Sequence, residues 1–216
     1  MSDRVHHPLF ARLCHRVAAR AAEGEERAIR QELLEGLRGR VIEVGAGNGA
    51  NFGLFPPEVS EVTAVEPERY LRARAAEAAE RVPVPVRVVD GLAQELPFAD
   101  DSFDAAVVCQ VLCSVPSQPA ALAEIERVLV PGGELRVYEH VIALEGSHAR
   151  WQRLAARVSP LLCGGCHCDR DTGGAIEAAG FSFSRLRRFN YQSGPLDYVA
   201  APRILGAALS PGRSSG

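Results

Sequence analysis

Three glycines at alternate positions, Gly45, Gly47 and Gly49, place the tightest constraint on how this chain can fold. They directly follow the apolar run from Val41 to Val44, which is rich in β-branched residues and predicts a buried strand. Glycine adopts positive φ angles and lets a ligand come close to the backbone. The pattern therefore predicts a strand that ends in a tight turn, pressed against a cofactor.

Two classes of cofactor use such a turn. The spacing of Gly45, Gly47 and Ala50, with Glu66 about 20 residues further on, fits the dinucleotide fingerprint G-x-G-x-x-G/A. Glu43 favours a cofactor other than a dinucleotide, because a carboxylate inside a buried strand needs a partner or a ligand. Packing of the turn without any ligand is the plainer alternative.

The segment Glu-x-Gly-x-Gly-x-Gly at 43–49 resembles motif I of Rossmann-like S-adenosylmethionine (SAM) methyltransferases. This resemblance implies that SAM is the cofactor and that Glu43 helps to hold its cationic amino-acid end. The cofactor-binding residues expected from this segment are Glu43, Gly45, Ala46, Gly47 and Gly49.

Further cofactor contacts are expected at the ends of the next two strands. Glu66 ends the strand Glu61 to Val65 and is followed by Pro67, and a carboxylate there can accept hydrogen bonds from ribose hydroxyls. The loop after the third strand resembles the D-A-E-x-L-P-F segment of small-molecule methyltransferases, with Leu92 and Ala93 as walls for the adenine. Leu92 replaces the usual carboxylate, so the contact to the adenine amino group must come from elsewhere.

The fourth strand, Phe103 to Cys109, ends at Gln110 and Val111, which we also expect to contact the cofactor because open parallel sheets bind ligands at this edge. The segment R-V-L-x-P-G-G at 127–133 resembles the one before strand five in the same methyltransferases. NAD dehydrogenases lack this array, which leaves a dehydrogenase as the remote alternative.

The order of elements predicts an α/β fold with a Rossmann-like, doubly wound sheet of seven strands. The sheet should be mostly parallel, with an antiparallel last strand from Pro202 to Leu209 that pairs with Phe181 to Tyr191. Two N-terminal helices precede the sheet and, by resemblance, form a lid. We predict lid helices over 1–38, a SAM-binding methyltransferase domain over 39–210 and a disordered tail over 211–216.

Size and charge limit the partners of the chain. Its 216 residues suit one domain, and a net charge of −3 does not suggest nucleic acid or an anionic membrane. No apolar run approaches the ~18 residues of a membrane helix, and the start lacks a signal-peptide core. We therefore predict a cytoplasmic protein whose partner is a small-molecule acceptor, with no nucleic acid and no membrane.

Within the superfamily, the chain resembles the alkyl-thiol methyltransferases of animal microsomes and their soluble bacterial relatives. The matching segments are motif I with Pro56-Pro57, Leu-Cys-Ser-Val at 112–115, Glu-His-Val at 139–141, and Gly165-Cys166 followed by Arg170. This resemblance implies S-methylation of a thiol, without the membrane anchor of the animal enzymes. Two alternatives remain open: an O- or C-methyltransferase of secondary metabolism, and a SAM- or metal-linked binding module without turnover.

The chemical nature of the acceptor determines whether the protein must supply a catalytic base. A free thiol of pKa ~8.5 is already a few per cent thiolate near neutrality, so a weak base or none is needed. His140, at the end of strand five, is the candidate catalytic residue, as a base or as a residue that orients the substrate. A histidine held in the core is the alternative. The expected substrate-binding residues are His7, Phe10, Cys113 and His140.

The segment Cys163-Gly-Gly-Cys166-His167-Cys168 contains C-x-x-C-H, the attachment motif of c-type haem, and four residues of types that bind zinc. Haem attachment would ordinarily need export, for which the chain shows no signal. Four ligands within six residues, with no second distant pair, make a poor structural zinc site. We therefore predict no metal, and a loop at the rim of the pocket.

Overall fold

A computed structural model describes residues 24–144, 146–156, 165–192 and 198–211. Its centre is a seven-stranded sheet in the order β3-β2-β1-β4-β5-β7-β6. The strands are β1 Gly39–Val44, β2 Val59–Val65, β3 Val86–Val89, β4 Phe103–Cys109, β5 Leu129–His140, β6 Ser182–Asn190 and β7 Pro202–Leu209.

The direction of the strands confirms the predicted doubly wound α/β sheet. Strands β1 to β5 run parallel, whereas β7 lies antiparallel between β5 and β6. The order reverses between β1 and β4, so the chain moves outwards in both directions from β1. This reversal opens a crevice at the carboxyl ends of β1 and β4, where sheets of this kind bind ligands.

Five α-helices are described beside the sheet: α1 Glu25–Leu34, α2 Arg69–Ala79, α3 Gln118–Val128, α4 Gly146–Ala155 and α5 Thr172–Ala178. The first predicted N-terminal helix, with His7 and Phe10, lies outside the described residues, as does 212–216 of the tail. After the glycine turn the sequence predicts a short helix broken near Pro56-Pro57, and the structure has one 3-10 turn there, Phe52–Leu54.

Alternation along β1 divides the core between the two faces of the sheet. Ile42 and Val44 pack in one apolar cluster with residues of α3. Val41 packs in the other cluster, with Leu33 and Leu34 of α1. Because Glu43 follows the same alternation as Val41, it shares the face of the sheet that α1 covers.

Strand β5 begins earlier than the sequence predicts. The sequence pattern predicts a strand from Glu134 to Leu144, whereas β5 ends at His140 and begins at Leu129, which pairs with Phe103. The register then shifts, and Ala105 pairs with Glu134. The intervening segment turns at Gly132, whose φ of 74° suits glycine. Among the described helices, none is long and apolar enough to cross a membrane.

Candidate active site

The glycine turn lies at the carboxyl end of β1, as its sequence predicts. Gly45, Gly47 and Gly49 all have positive φ angles, of 73°, 58° and 80°. A side chain at Gly45 would overlap Val111, because an added Cβ would lie 2.4 Å from a Val111 methyl carbon. An added Cβ at Gly47 would meet no atom within 4 Å. Gly45 is therefore needed for packing, whereas Gly47 borders space that a ligand can fill.

Glu43 is a buried carboxylate with an incomplete set of partners. Its Oε1 accepts a hydrogen bond of 2.7 Å from Asn51 Nδ2. Its Oε2 is also buried and has no hydrogen-bond partner among the described residues. Burial raises the pKa of Glu43 to about 7. The free oxygen and the open space at Gly47 fit a group that brings its own cation, such as the amino-acid end of SAM.

Glu66 joins the end of β2 to the glycine turn. Its Oε2 accepts a hydrogen bond of 2.8 Å from the Gly47 N–H, and its Oε1 accepts one of 2.9 Å from the Glu68 N–H. Burial raises its pKa to about 7 despite these two bonds. The next residue, Pro67, is held through its carbonyl oxygen, which accepts a hydrogen bond of 2.8 Å from Arg72. These contacts fix the edge of the crevice beside Gly47.

Leu92 and Ala93 lie in the loop after β3, the next strand along this edge. Leu92 bridges Glu95, whose N–H donates to the Leu92 carbonyl at 3.0 Å. Ala93 is buried in the same apolar cluster as Ile42 and Val44. Leu92 is half-buried, and both residues lie after a strand that neighbours β2 in the sheet.

Gln110 and Val111 lie on the opposite side of the turn, after β4. Gln110 has a φ of 60°, which is uncommon for a residue other than glycine. Its N–H donates to the Tyr138 carbonyl at 2.7 Å. Val111 packs against Gly45. The crevice thus gathers the described cofactor residues predicted from sequence along the ends of four adjacent strands.

A buried polar network behind Glu43 was not predicted from the sequence. Arg30 of α1 donates to Asn51 Oδ1 at 2.9 Å and lies 3.3 Å from Glu26. Glu26 also pairs with Arg203 at 3.2 Å, and Arg203 donates to the Tyr138 hydroxyl. Glu26 and Arg203 are 3% and 4% exposed. This network fixes α1 over the sheet and supports the amide that holds Glu43.

Cys113, His140 and Cys166 converge at the ends of β4 and β5. His140 Nδ1 lies 3.6 Å from the Cys113 sulfur and 3.6 Å from the Cys166 sulfur. The Cys166 and Cys168 sulfurs are 3.7 Å apart. Hydrogen bonding to Cys166 lowers the pKa of the Cys113 thiol, and the same contact raises the pKa of Cys166. The predicted substrate residues Cys113 and His140 are therefore neighbours.

Glu139 is the anchor of this cluster. Its fully buried carboxylate accepts hydrogen bonds from three successive N–H groups, those of Val111, Leu112 and Cys113, at 2.7, 2.9 and 3.1 Å. Burial, followed by the nearby Cys113 charge, raises the pKa of Glu139. The sequence indicated Glu139 only as a neighbour of His140. Its role could not be read, because it depends on how β5 lies beside the loop after β4.

Comparison with known proteins identifies the class. Residues 42–137 match the family model described as a methyltransferase domain. The geranyl diphosphate C-methyltransferase of Streptomyces coelicolor, solved with S-adenosyl-L-homocysteine, shares the fold with a TM-score of 0.67 at 14% identity. That likeness covers 86% of this chain and 77% of that one. The solved structure shows a shared fold, and the family model indicates a methyltransferase domain.

Two curated relatives identify the branch. The thiol S-methyltransferase TMT1B of Homo sapiens is 35% identical over 201 residues, which cover 88% of this chain and 80% of the relative. The Rattus norvegicus TMT1B is 37% identical over 176 residues, which cover 78% of this chain and 70% of the relative. The chain therefore belongs to the family of methyltransferases that includes TMT1B.

Proposed function

We propose that this methyltransferase transfers the methyl group of SAM to the sulfur of a small-molecule thiol. The observation that carries the proposal is the identity of 35% to the human thiol S-methyltransferase TMT1B over most of both chains. Cys113, after β4, and His140, at the end of β5, give physical support, because the loop that carries Cys113 contacts the glycine turn through Val111.

The proposed cofactor contacts follow from the crevice. The unpaired Oε2 of Glu43 is suited to the ammonium group of SAM, because a buried charge needs a partner of opposite sign. Open space at Gly47 leaves room for the cofactor backbone. Glu66 is suited to the ribose, with Pro67 beside it, and Leu92 and Ala93 to the adenine. Gln110, Val111, Ala46, Gly45 and Gly49 complete the proposed cofactor site.

The reaction is an in-line displacement at a methyl group, and SAM supplies the electrophile when bound. The tasks of the chain are to align the acceptor with the methyl group and to exclude water, and such positioning contributes ~7–11 kcal/mol. We propose that Cys113 and His140 border the acceptor, and that His140 orients it or removes its proton. His7 and Phe10 remain proposed pocket residues, and a cytoplasmic location remains a prediction.

An acceptor screen tests this function. The purified protein is incubated with labelled SAM and matched alkyl thiols, alcohols, phenols and quinols. We expect label on the thiols and none on the alcohols of the same carbon skeleton. Methylation of phenols or quinols with no product from any thiol would contradict the proposed acceptor and favour an O- or C-methyltransferase.

A further inference from the structure

Three side chains from separate segments meet around one point beside the proposed acceptor pocket. Cys113 comes from the loop after β4, His140 from the end of β5, and Cys166 from the loop before α5. Their ligand atoms, two sulfurs and one imidazole nitrogen, all lie within 4.8 Å of one another. Cys113 and Cys166 are 1% and 7% exposed, while His140 is only half-buried.

We propose that Cys113, His140 and Cys166 bind a zinc ion, and that its fourth coordination position receives the sulfur of the methyl acceptor. The identity of the acceptor in this proposal rests on the proposed function. The choice of the three metal ligands rests on their geometry alone. The site is of the open kind, with three protein ligands, that zinc enzymes use to bind water or substrate.

The distances match the edges of a zinc tetrahedron. Zinc lies about 2.3 Å from a cysteine sulfur and about 2.0 Å from a histidine nitrogen, so a tetrahedral site has N···S edges of about 3.5 Å. His140 Nδ1 lies 3.6 Å from each of the two sulfurs. Little movement is therefore needed to place a metal between them. Two thiolates and an imidazole are also ligands that favour zinc.

The two cysteine ligands are held in place by contacts of their own segments. The Glu139 carboxylate accepts from the Cys113 N–H at 3.1 Å and so holds Cys113 beside His140. The His167 N–H donates to the Cys113 carbonyl at 2.8 Å, which ties the Cys166 segment to the same loop. Arg170 donates to carbonyl oxygens of that loop, those of Leu112, Cys113 and Val115. Such anchored ligands are typical of metal sites.

Gly165 explains how the two loops approach so closely. Its φ is 88°, and a Cβ at this position would lie 3.2 Å from the Ser114 carbonyl oxygen. Only a glycine gives this backbone both its angle and its space without strain. The neighbouring Gly165-Cys166 pair therefore supplies one ligand and the close approach that brings it to Cys113.

The three ligands come from parts of the chain that are distant in sequence. The cysteine-rich loop by itself offers ligands that are too close in sequence for a structural site. The fold adds Cys113 and His140, which are 53 and 26 positions before Cys166 (166 − 113 and 166 − 140). Cys168 touches the Cys166 sulfur at 3.7 Å but does not join the group of three ligand atoms. We assign it no bond to the metal.

Methyl transfer at this site needs only the acceptor thiol and SAM. The acceptor thiol binds the metal as a thiolate and releases its proton to solvent, so of its two proposed roles His140 keeps that of orienting the acceptor, through the metal. A lone pair on that sulfur forms the new bond to the methyl carbon, and the methyl–sulfonium bond of SAM breaks. The electron pair of the broken bond stays on the cofactor, which leaves as neutral S-adenosylhomocysteine. The thioether product is a weaker ligand than a thiolate, so it can dissociate.

Metal analysis tests the ligand set. We expect the full chain, purified from zinc-supplemented cells without chelator, to contain about one zinc per molecule. Cys113→Ser, His140→Ala and Cys166→Ala should each lower the zinc content at least tenfold while calorimetric binding of S-adenosylhomocysteine persists. Cys109→Ala and Cys168→Ala are the matched controls and should retain zinc. A metal-free wild-type protein, or zinc retained in all three ligand variants, would overturn the site.

Cobalt substitution tests the open position. Thiolate-to-cobalt absorption should intensify when an alkyl thiol is added and stay unchanged with the matching alcohol. An unchanged spectrum at thiol concentrations that support turnover, or loss of zinc in Cys168→Ala, would overturn the claim of an open position. A Cys113–Cys166 disulfide in the purified protein would overturn the metal site as well. Failure of the proposed function has a different signature: zinc is bound, but no thiol is methylated.

Discussion

Glu139 Oε1 accepts a hydrogen bond of 2.7 Å from the Val111 N–H, and this contact joins the proposed acceptor residues to the proposed cofactor crevice. Val111 packs on Gly45, while Glu139 is next to His140 in the chain. One buried carboxylate thus sets the position of the loop on which both parts of the site depend. A fully buried carboxyl group that takes up three backbone donors is a costly feature, which the fold retains at the junction of two binding regions.

Glu139→Gln should loosen this junction. Its amide nitrogen would face an N–H group that now donates to a carboxylate oxygen, so at least one hydrogen bond is lost and two donors oppose each other. We expect the free energy of unfolding in urea to fall by about 1–3 kcal/mol. At temperatures where the variant is fully folded, its rate of methyl transfer should still be lower than that of the wild type.

Glu134→Gln is the matched control, because Glu134 lies on the same strand but is partly exposed and pairs with Arg136 at 3.0 Å. We expect its stability to change by no more than about 1 kcal/mol and its activity to remain. Equal behaviour of the two variants would contradict the role of Glu139.

The buried carboxylate of Glu43 predicts a pH dependence of stability. Its pKa is about 7 in the folded protein, above the 4.5 of an unperturbed carboxyl. Between these values the folded chain keeps a proton that the unfolded chain has released, so raising the pH lowers the free energy of unfolding. The slope is about 1.4 kcal/mol per pH unit for this group.

Glu43→Gln removes that slope while Glu66, shifted in the same direction, keeps its own. Between pH 5 and pH 8, urea unfolding should show that the wild type loses roughly 3 kcal/mol more stability than Glu43→Gln. Glu61→Gln, at an exposed glutamate of β2, should follow the wild type. Parallel pH profiles for wild type and Glu43→Gln would show that burial does not govern this carboxylate.

Arg203 and Glu26 form a buried ion pair whose members should depend on each other. Arg203→Met removes the arginine of β7 that pairs with Glu26. The Glu26 carboxylate then keeps its hydrogen bond from the Tyr138 hydroxyl. We expect a loss of about 3–5 kcal/mol in urea unfolding. The double variant Glu26→Met with Arg203→Met should recover part of that loss, because the Glu26 carboxylate is then gone, while Arg30 loses its own contact with Glu26.

The exposed pair of Arg187 and Glu32 provides the comparison, since its side chains are 45% and 38% exposed. The same double-variant cycle there should give a coupling of no more than about 1 kcal/mol. A coupling as small for the buried pair would contradict its proposed role in fixing α1.

Local sequence patterns predicted the fold and the residues along the crevice because the signals for both lie within contiguous segments. The alternating glycines specify a turn by their backbone angles, and Glu43 lies two residues before it in the same strand. The position of Glu66 likewise follows from the end of a single strand. The start of β5 was misplaced because Leu129 joins the sheet only through its pairing with Phe103.

The polar network and the sulfur cluster could not be predicted in the same way. His140 and Cys113 are 27 positions apart, and only the parallel pairing of β4 with β5 makes them neighbours. Arg30 did leave a signal in the sequence. With Glu26 it lies on the helical face of Ile29 and Leu33, and charged residues on an apolar face indicate a buried polar partner.

Calorimetric titration of S-adenosylhomocysteine and SAM into wild type, Gly47→Asn and Gly132→Asn shows whether the glycine turn binds the cofactor. Both glycines have positive φ and open space, and asparagine tolerates that conformation, so the variants differ mainly in location. Gly132 lies in the turn before Glu134, at the other end of β5 from His140.

We expect the wild type and Gly132→Asn to bind both nucleosides with equal affinity. Gly47→Asn should bind at least about 100-fold more weakly, or roughly 2.7 kcal/mol. Unchanged affinity in Gly47→Asn, or no affinity of the wild type for either nucleoside, would contradict the claim that the glycine turn beside Glu43 binds SAM.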